Sequence, residues 1–148
     1  MKYYVEQKFW SLKDRFNIFV VYDLKMNLNT FWSHFIESDI CFCFESGDPK
    51  VIAGMSGVEM ALSVLGLNES KKKPKPRFDR SEEYWLGWAL AYFQWERNLS
   101  FKKLNSYIKI DDILSMYRPY HEMDVRSFSE KLCEIYNKKK IDKNLKIY

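Results

Sequence analysis

Residues 81–98, SEEYWLGWALAYFQWERN, gather Tyr84, Trp85, Trp88, Tyr92, Phe93 and Trp95 within one helical length. A surface helix shows an apolar stripe of roughly 100°. Here Trp85, Trp88, Ala89 and Tyr92 fill one face and Leu86, Leu90 and Phe93 fill the next. The pattern predicts a helix over about 81–98, buried along most of its length, with Trp88 in the core. Aromatic side chains bury on the order of 150–250 Å² each, so a helix with six of them becomes the rod against which the rest of an all-α chain packs. Gly87 costs such a helix about 1 kcal/mol relative to alanine, and a helix crossing closely over it would account for that cost.

The other segments follow the same helical logic. Residues 3–24 combine Tyr3, Tyr4, Phe9, Trp10, Leu12 and Phe16 with the run Ile18 to Tyr22; no second alternating segment exists to pair with a strand there, so helix is expected. Asn29 or Thr30 can cap the next helix, because a short side-chain acceptor satisfies the free amides of a first turn. Phe31, Trp32, Phe35 and Ile36 recur at helical spacing, Ile40 to Phe44 extend that surface, and Gly47 to Pro49 form the stop. Ser56 and Glu59 make a capping box, flanked by Met55 and Met60 as a hydrophobic staple. Val58, Ala61, Leu62 and Leu65 give this helix its apolar face and Gly66 its end. Asp79 and Glu82 open the aromatic helix in the same way.

Beyond Asn98, Ser100 can cap a short helix with Phe101 and Leu104 inward. Ile110, Ile113, Leu114 and Tyr117 define another, ending at Pro119. Asp124 caps the last, where Val125, Phe128, Leu132, Ile135 and Tyr136 keep the 3–4 spacing. A chain of 148 residues, 47% hydrophobic, then makes one compact all-α domain of six or seven helices with short connections.

Charge is unevenly distributed. Lys71, Lys72, Lys73, Lys75 and Arg77 place +5 in a proline-broken loop at about 68–77. Lys138, Lys139, Lys140, Lys143 and Lys146, less Asp142, place +4 in a tail at about 138–148. The remaining residues must carry −5 for the chain to total +4. The basic residues are thus expected in flexible segments around an acidic body, where they are possible nonspecific phosphate contacts. They do not form the basic face of a DNA-reading fold. The start MKYYVEQKFW lacks the features of a signal peptide, and no stretch approaches 18 uncharged apolar residues. A cytoplasmic protein without membrane contact is expected, with Cys41, Cys43 and Cys133 as reduced thiols.

Few residues suggest chemistry. His121-Glu122-Met123-Asp124 holds a histidine and two carboxylates, but it is no HExxH and Asp124 already serves as a cap. Cys41 and Cys43 lack further soft ligands nearby. Glu82/Glu83 and Asp111/Asp112 sit at helix starts, where the dipole favours negative charge. The glycines around Met55 do not match a phosphate-binding loop. No enzyme, metal or cofactor is expected.

Three stretches, GDPKVIAGMSGVEMALSVL, SEEYWLGWALAYFQWERNLSFKKL and IDDILSMYRPYHEMDVRSFSEKL, resemble the N-terminal region of a family of small helix-turn-helix proteins of Gram-positive bacteria. That family carries GNPxYxAGMSGxEL, EYWxGWALAYYQW, SFxEI and YPxxHExDI segments in the same order. The resemblance spans about residues 47–135. It implies an antitoxin or repressor, often encoded beside proteins that look like ADP-ribosyltransferases. The family's DNA-reading helices find no counterpart after Asp142, so sequence-specific DNA binding is not expected.

The function so implied is a non-enzymatic, antitoxin-like protein-binding module that neutralises or regulates a partner protein such as a toxin. The alternative is a mobile-element (phage) inhibitor of a nucleic-acid-dependent defence nuclease such as a CRISPR effector, touched through Lys71, Lys72, Lys73, Lys75 and Arg77. Because interface hot spots favour Trp and Tyr, Trp95, Tyr107 and Tyr120 are the expected exposed partner-binding anchors.

Overall fold

The computed structural model describes residues 16–67 and 82–145. The basic loop expected at 68–77, the cap at Asp79 and the first part of the expected N-terminal helix lie outside them. The described residues are all helical in class, with no strand: α1 (Phe16–Ile18, running on into a π-helical stretch, Phe19–Asp23), α2 (Leu28–Ile36), α3 (Asp39–Ser46), α4 (Pro49–Ile52), α5 (Gly57–Leu65), α6 (Glu82–Arg97), α7 (Phe101–Asn105), α8 (Ile110–Leu114), α9 (Tyr117–Tyr120) and α10 (Val125–Leu145). These exceed the six or seven expected because two predicted helices are broken by turns and because α4 forms directly after the expected stop at Gly47 to Pro49.

The first break separates α2 from α3. The α2 cap is Asn27, two residues before the expected position, whose Oδ1 accepts from the Thr30 amide at 3.2 Å. Ser38 then accepts from the Cys41 amide at 3.2 Å and starts α3 afresh. Gly47, at φ +81°, ends α3. Asp48 caps α4, with Pro49 in its first turn, where a missing amide hydrogen costs nothing. The second break divides the helix expected to end at Pro119 into α8 and α9; Pro119 lies within α9, early enough in that short helix that no intrahelical hydrogen bond is lost.

Elsewhere the local signals match the helix ends. Ser56 accepts from the Glu59 amide at 3.1 Å and its hydroxyl donates to Glu59 Oε1 at 3.3 Å. Gly66 ends α5 at φ +66°, Ser100 caps α7 through the Lys103 amide at 3.1 Å, and Asp124 receives the Arg126 amide at 2.9 Å. Gly54 has a packing reason: a Cβ there would lie 2.5 Å from the Lys50 carbonyl oxygen. Residues 138–145, expected as part of a flexible tail, are the last turns of α10.

The core is an aromatic cluster formed by α1, α2, α3 and α7. Phe16 meets Phe31 at 5.2 Å and Phe35 at 5.1 Å between ring centroids, both edge-on. Trp32 meets Phe35 at 4.9 Å and Phe101 at 5.2 Å. Such edge-to-face contacts add to the area term because ring edges are positive and faces negative. The buried Asn17 links this cluster to α6: its Oδ1 accepts from Trp32 Nε1 at 3.0 Å and its Nδ2 donates to the Glu83 carbonyl at 3.2 Å. On the other side of α6, Trp85 packs edge-on against Phe128 of α10 at 4.9 Å.

Helix α6 is therefore central, but not buried all round. Trp85, Leu86, Gly87, Ala89, Leu90, Ala91, Phe93 and Gln94 are buried. Trp88, placed in the core by its sequence pattern, is only half-buried, as are Tyr84 and Tyr92, and Trp95 is exposed. At 100° per residue these four aromatics fall within one 80° sector, which is the outward side of the helix.

Candidate protein-binding surface

The outward side of α6 ends in a hydrogen-bonded polar network. Tyr92 and Glu96 are one helical turn apart, so the phenol reaches and donates to the Glu96 carboxylate. Ser129 of α10 donates to the same carboxylate at 2.8 Å. Arg97 Nε lies 3.2 Å from Glu96 Oε1 and 3.4 Å from Ser129 Oγ. Burial alone would raise the Glu96 pKa, but hydrogen bonds from Tyr92 and Ser129, with Arg97 and Arg126 nearby, outweigh it and hold the carboxyl below its ordinary value. The Tyr92 phenol is pushed up to about 12 by burial, by its bond to Glu96 and by that carboxylate's charge.

Trp95 lies against this network, its ring 5.9 Å from that of Tyr92 and 47% exposed. Near the start of α10 stand Arg126, bound to Asp124 at 3.1 Å, and the exposed Met123. Tryptophan, tyrosine, arginine and methionine are the residue types enriched at protein interfaces. Here the underlying side chains are already fixed by hydrogen bonds, so little rotamer freedom remains to be lost on docking.

The other expected anchors differ. Tyr107 is half-buried, edge-on to Tyr136 at 5.3 Å, with Lys143 Nζ 5.1 Å from its ring centroid. Tyr120 is half-buried against Phe128 at 6.4 Å. Both spend ring area on α10, which corrects their reading as exposed residues. Lys71, Lys72, Lys73, Lys75 and Arg77 lie outside the described residues.

The structure adds exposed apolar side chains that the pattern did not single out. Phe42, at 71%, is the most exposed large apolar residue among those described, followed by Leu145 at 66% and Ile141 at 58%. The signal for Phe42 was the new helix start at Ser38, which turns Cys41 and Phe44 inward and Phe42 outward.

Residues weighed for chemistry have structural roles. His121, just past the end of α9, stacks on Tyr117 at 4.2 Å between ring centroids, and its Nδ1 lies 2.8 Å from the Tyr117 carbonyl oxygen. Among the described residues no group of three or more His, Cys, Asp or Glu could hold a metal ion. None of the three cysteines forms a disulfide, and burial, followed by Asp48 and Asp39, raises the Cys43 thiol pKa, opposite to the shift that activates a nucleophile. A polar pocket of about 250 Å³ is lined by Asn29, Thr30, Ser33, Asn105 and Lys109. Ser33 donates to the Asn29 carbonyl at 2.9 Å, and Asn29 Oδ1 accepts from the Asp111 amide at 3.1 Å. No described helix is long and apolar enough to cross a membrane.

No protein-family model, curated protein or solved structure matches the chain. The reading of this surface therefore rests on its own chemistry.

Proposed function

We propose that the chain is a non-enzymatic, antitoxin-like module that binds a partner protein through the outward face of α6 and so neutralises or regulates it. The observation that carries this reading is Trp95: a large aromatic side chain left 47% exposed on the helix that otherwise supplies much of the core. Truncating such an anchor commonly costs an interface about 2 kcal/mol or more while leaving the fold intact. The resemblance of residues 47–135 to antitoxin-like or repressor-like proteins supports the same class. The lysines of the chain can hold phosphates, but phosphate contacts alone carry no sequence information, which favours a protein partner over an operator.

The test is affinity purification from the native host with the wild-type chain and with Trp95→Ala in parallel. A protein retained by the wild type and lost with the variant, at equal helicity and melting temperature, is the expected result. Equal recovery by both would remove Trp95 from the interface. A partner held only through nuclease-sensitive RNA or DNA would move the reading to the inhibitor of a nucleic-acid-dependent nuclease. Nanomolar, sequence-discriminating binding to the DNA upstream of the gene would contradict the module altogether.

A further inference from the structure

Two exposed regions of the molecule are opposite in charge and alike in apolar content. Helix α10 contributes Tyr136 as its last buried residue; from Asn137 to Leu145 every position is exposed. Nine residues of helix rise about 13 Å, and most helical stability in proteins comes from packing a face. Its side chains reach back to the described residues through Asn137 Nδ2, which donates to Cys133 Sγ at 3.6 Å within the same helix, and through Lys143 over the ring of Tyr107. It carries Lys138, Lys139, Lys140 and Lys143 against Asp142, a net +3, and exposes Ile141 and Leu145 one turn apart. The second region is α3 with its flanks. Residues 37–48 hold Glu37, Asp39, Glu45 and Asp48 and no basic residue, a net −4, around the exposed Phe42.

We propose that two copies of this chain associate by laying the exposed end of α10 of one copy across the acidic, Phe42-bearing face of α3 of the other. Ile141 and Leu145 cover Phe42, and the lysines face the carboxylates. The like-with-like alternatives fail on charge: α10 against α10 sets +3 against +3, and α3 against α3 sets −4 against −4. A nucleic-acid backbone would match the lysines but would leave Ile141, Leu145 and Phe42 uncovered. Glu45 already accepts from the Phe101 amide at 2.7 Å and Asp48 from the Lys50 amide at 2.9 Å, while the Glu37 pair with Lys102 at 3.3 Å is solvent-exposed on both sides and worth little, so Glu37 can exchange it for a new cation. The contact joins two different surfaces, so it closes as a reciprocal pair if geometry allows and otherwise propagates. Its small area makes it a weak association, and its charge makes it sensitive to salt.

Sedimentation velocity on the full chain tests this. At about 50 mM salt and protein concentrations up to about 1 mM, mass above the monomer's 17.9 kDa is expected, and it should fall back toward the monomer at about 500 mM salt. Ile141→Asp with Leu145→Asp should weaken association by at least about 10-fold with helicity unchanged by circular dichroism. The sharper test uses two charge-reversed chains, Lys138→Glu/Lys140→Glu and Glu37→Lys/Asp39→Lys. Each should be monomeric alone, since the first then sets a net −1 against −4 and the second +3 against a net 0, and mixing them should restore association, because the unaltered α10 end of the second chain (+3) meets the unaltered α3 region of the first (−4). A wild type that stays monomeric across the range overturns the proposal. So does a folded mixture that fails to associate, an Ile141/Leu145 variant that associates like the wild type, or an association abolished by nuclease treatment.

Discussion

Two groups of aromatic side chains use the same chemistry to opposite ends. Around Trp32, the rings of Phe16, Phe31, Phe35, Phe44 and Phe101 are 0–2% exposed and lie edge-on, tilted or stacked against one another. On the outward side of α6, Tyr84, Trp88 and Tyr92 are half-buried and Trp95 is exposed. The difference lies in what surrounds each ring. The Trp32 indole N–H has a buried acceptor in Asn17, so the whole side chain can leave water without an unpaired donor. Tyr92 instead directs its hydroxyl to Glu96, in a network that includes the charged Arg97, and the ring of Trp95 rests against that of Tyr92. The first group holds the fold together; the second presents a surface on top of it.

Substitutions should separate the two groups, in descending order of effect on stability. Trp32→Ala removes a fully buried ring and strands the Asn17 side chain, and should cost about 3–5 kcal/mol. Denaturant melts would show this as a large drop in midpoint, and a drop equal to that of a surface substitution would mean that the cluster is not the core. Trp88→Ala should cost about 1–2 kcal/mol, since a half-buried ring loses correspondingly less area on truncation. A loss as large as that of Trp32→Ala would place Trp88 inside.

Glu96→Gln should cost about 1 kcal/mol, because the carboxylate accepts from Tyr92 and Ser129 but its partly exposed position screens its charge. The cost should depend on pH in a definite direction. The Glu96 pKa is lowered by folding, so the wild-type advantage is fully present above the ordinary glutamate value of 4.5 and is lost as pH falls through the lower folded value. Melts of both proteins between pH 7 and about 3 would converge at the acid end; a gap that widened on acidification would contradict the network. Trp95→Ala should have the smallest effect, within about 0.5 kcal/mol of wild type, while removing partner capture. A variant that melts far below wild type would return Trp95 to the core.

The same contrast explains what was legible in the sequence. Ser56, Gly66, Ser100 and Asp124 announced their helix ends because a cap is a local interaction between neighbours in the chain. The break at Ser38 was harder to see, since Phe35, Ile36 and Ile40 to Phe44 read as one continued apolar surface across the short polar stretch Glu37-Ser38-Asp39; missing it hid the outward turn of Phe42. The α6 surface was hidden for a different reason. Periodicity finds a face by polar contrast, and both faces of α6 are aromatic, so Trp88 and Trp85 look equivalent until α10 takes its place against Trp85 and leaves Trp88 outward. Tyr107 and Tyr120 are half-buried where exposure was expected, because their burial depends on Tyr136 and Phe128, contacts that spacing alone does not reveal. The lysines at 138–140 marked a solvated segment, yet lysine is a good helix former and α10 continues through them.

Hydroxyl-radical footprinting of the chain, free and bound to its captured partner, tests the central claim most directly, because the molecule carries its own control. Trp95, at 47% exposure, should be oxidised in the free chain and Trp32, at 1%, should not. On binding, Trp95 modification should fall several-fold while Trp32 stays unmodified. A Trp95 oxidised at the same rate in the complex as in the free chain would show that the outward face of α6 is not where the partner sits.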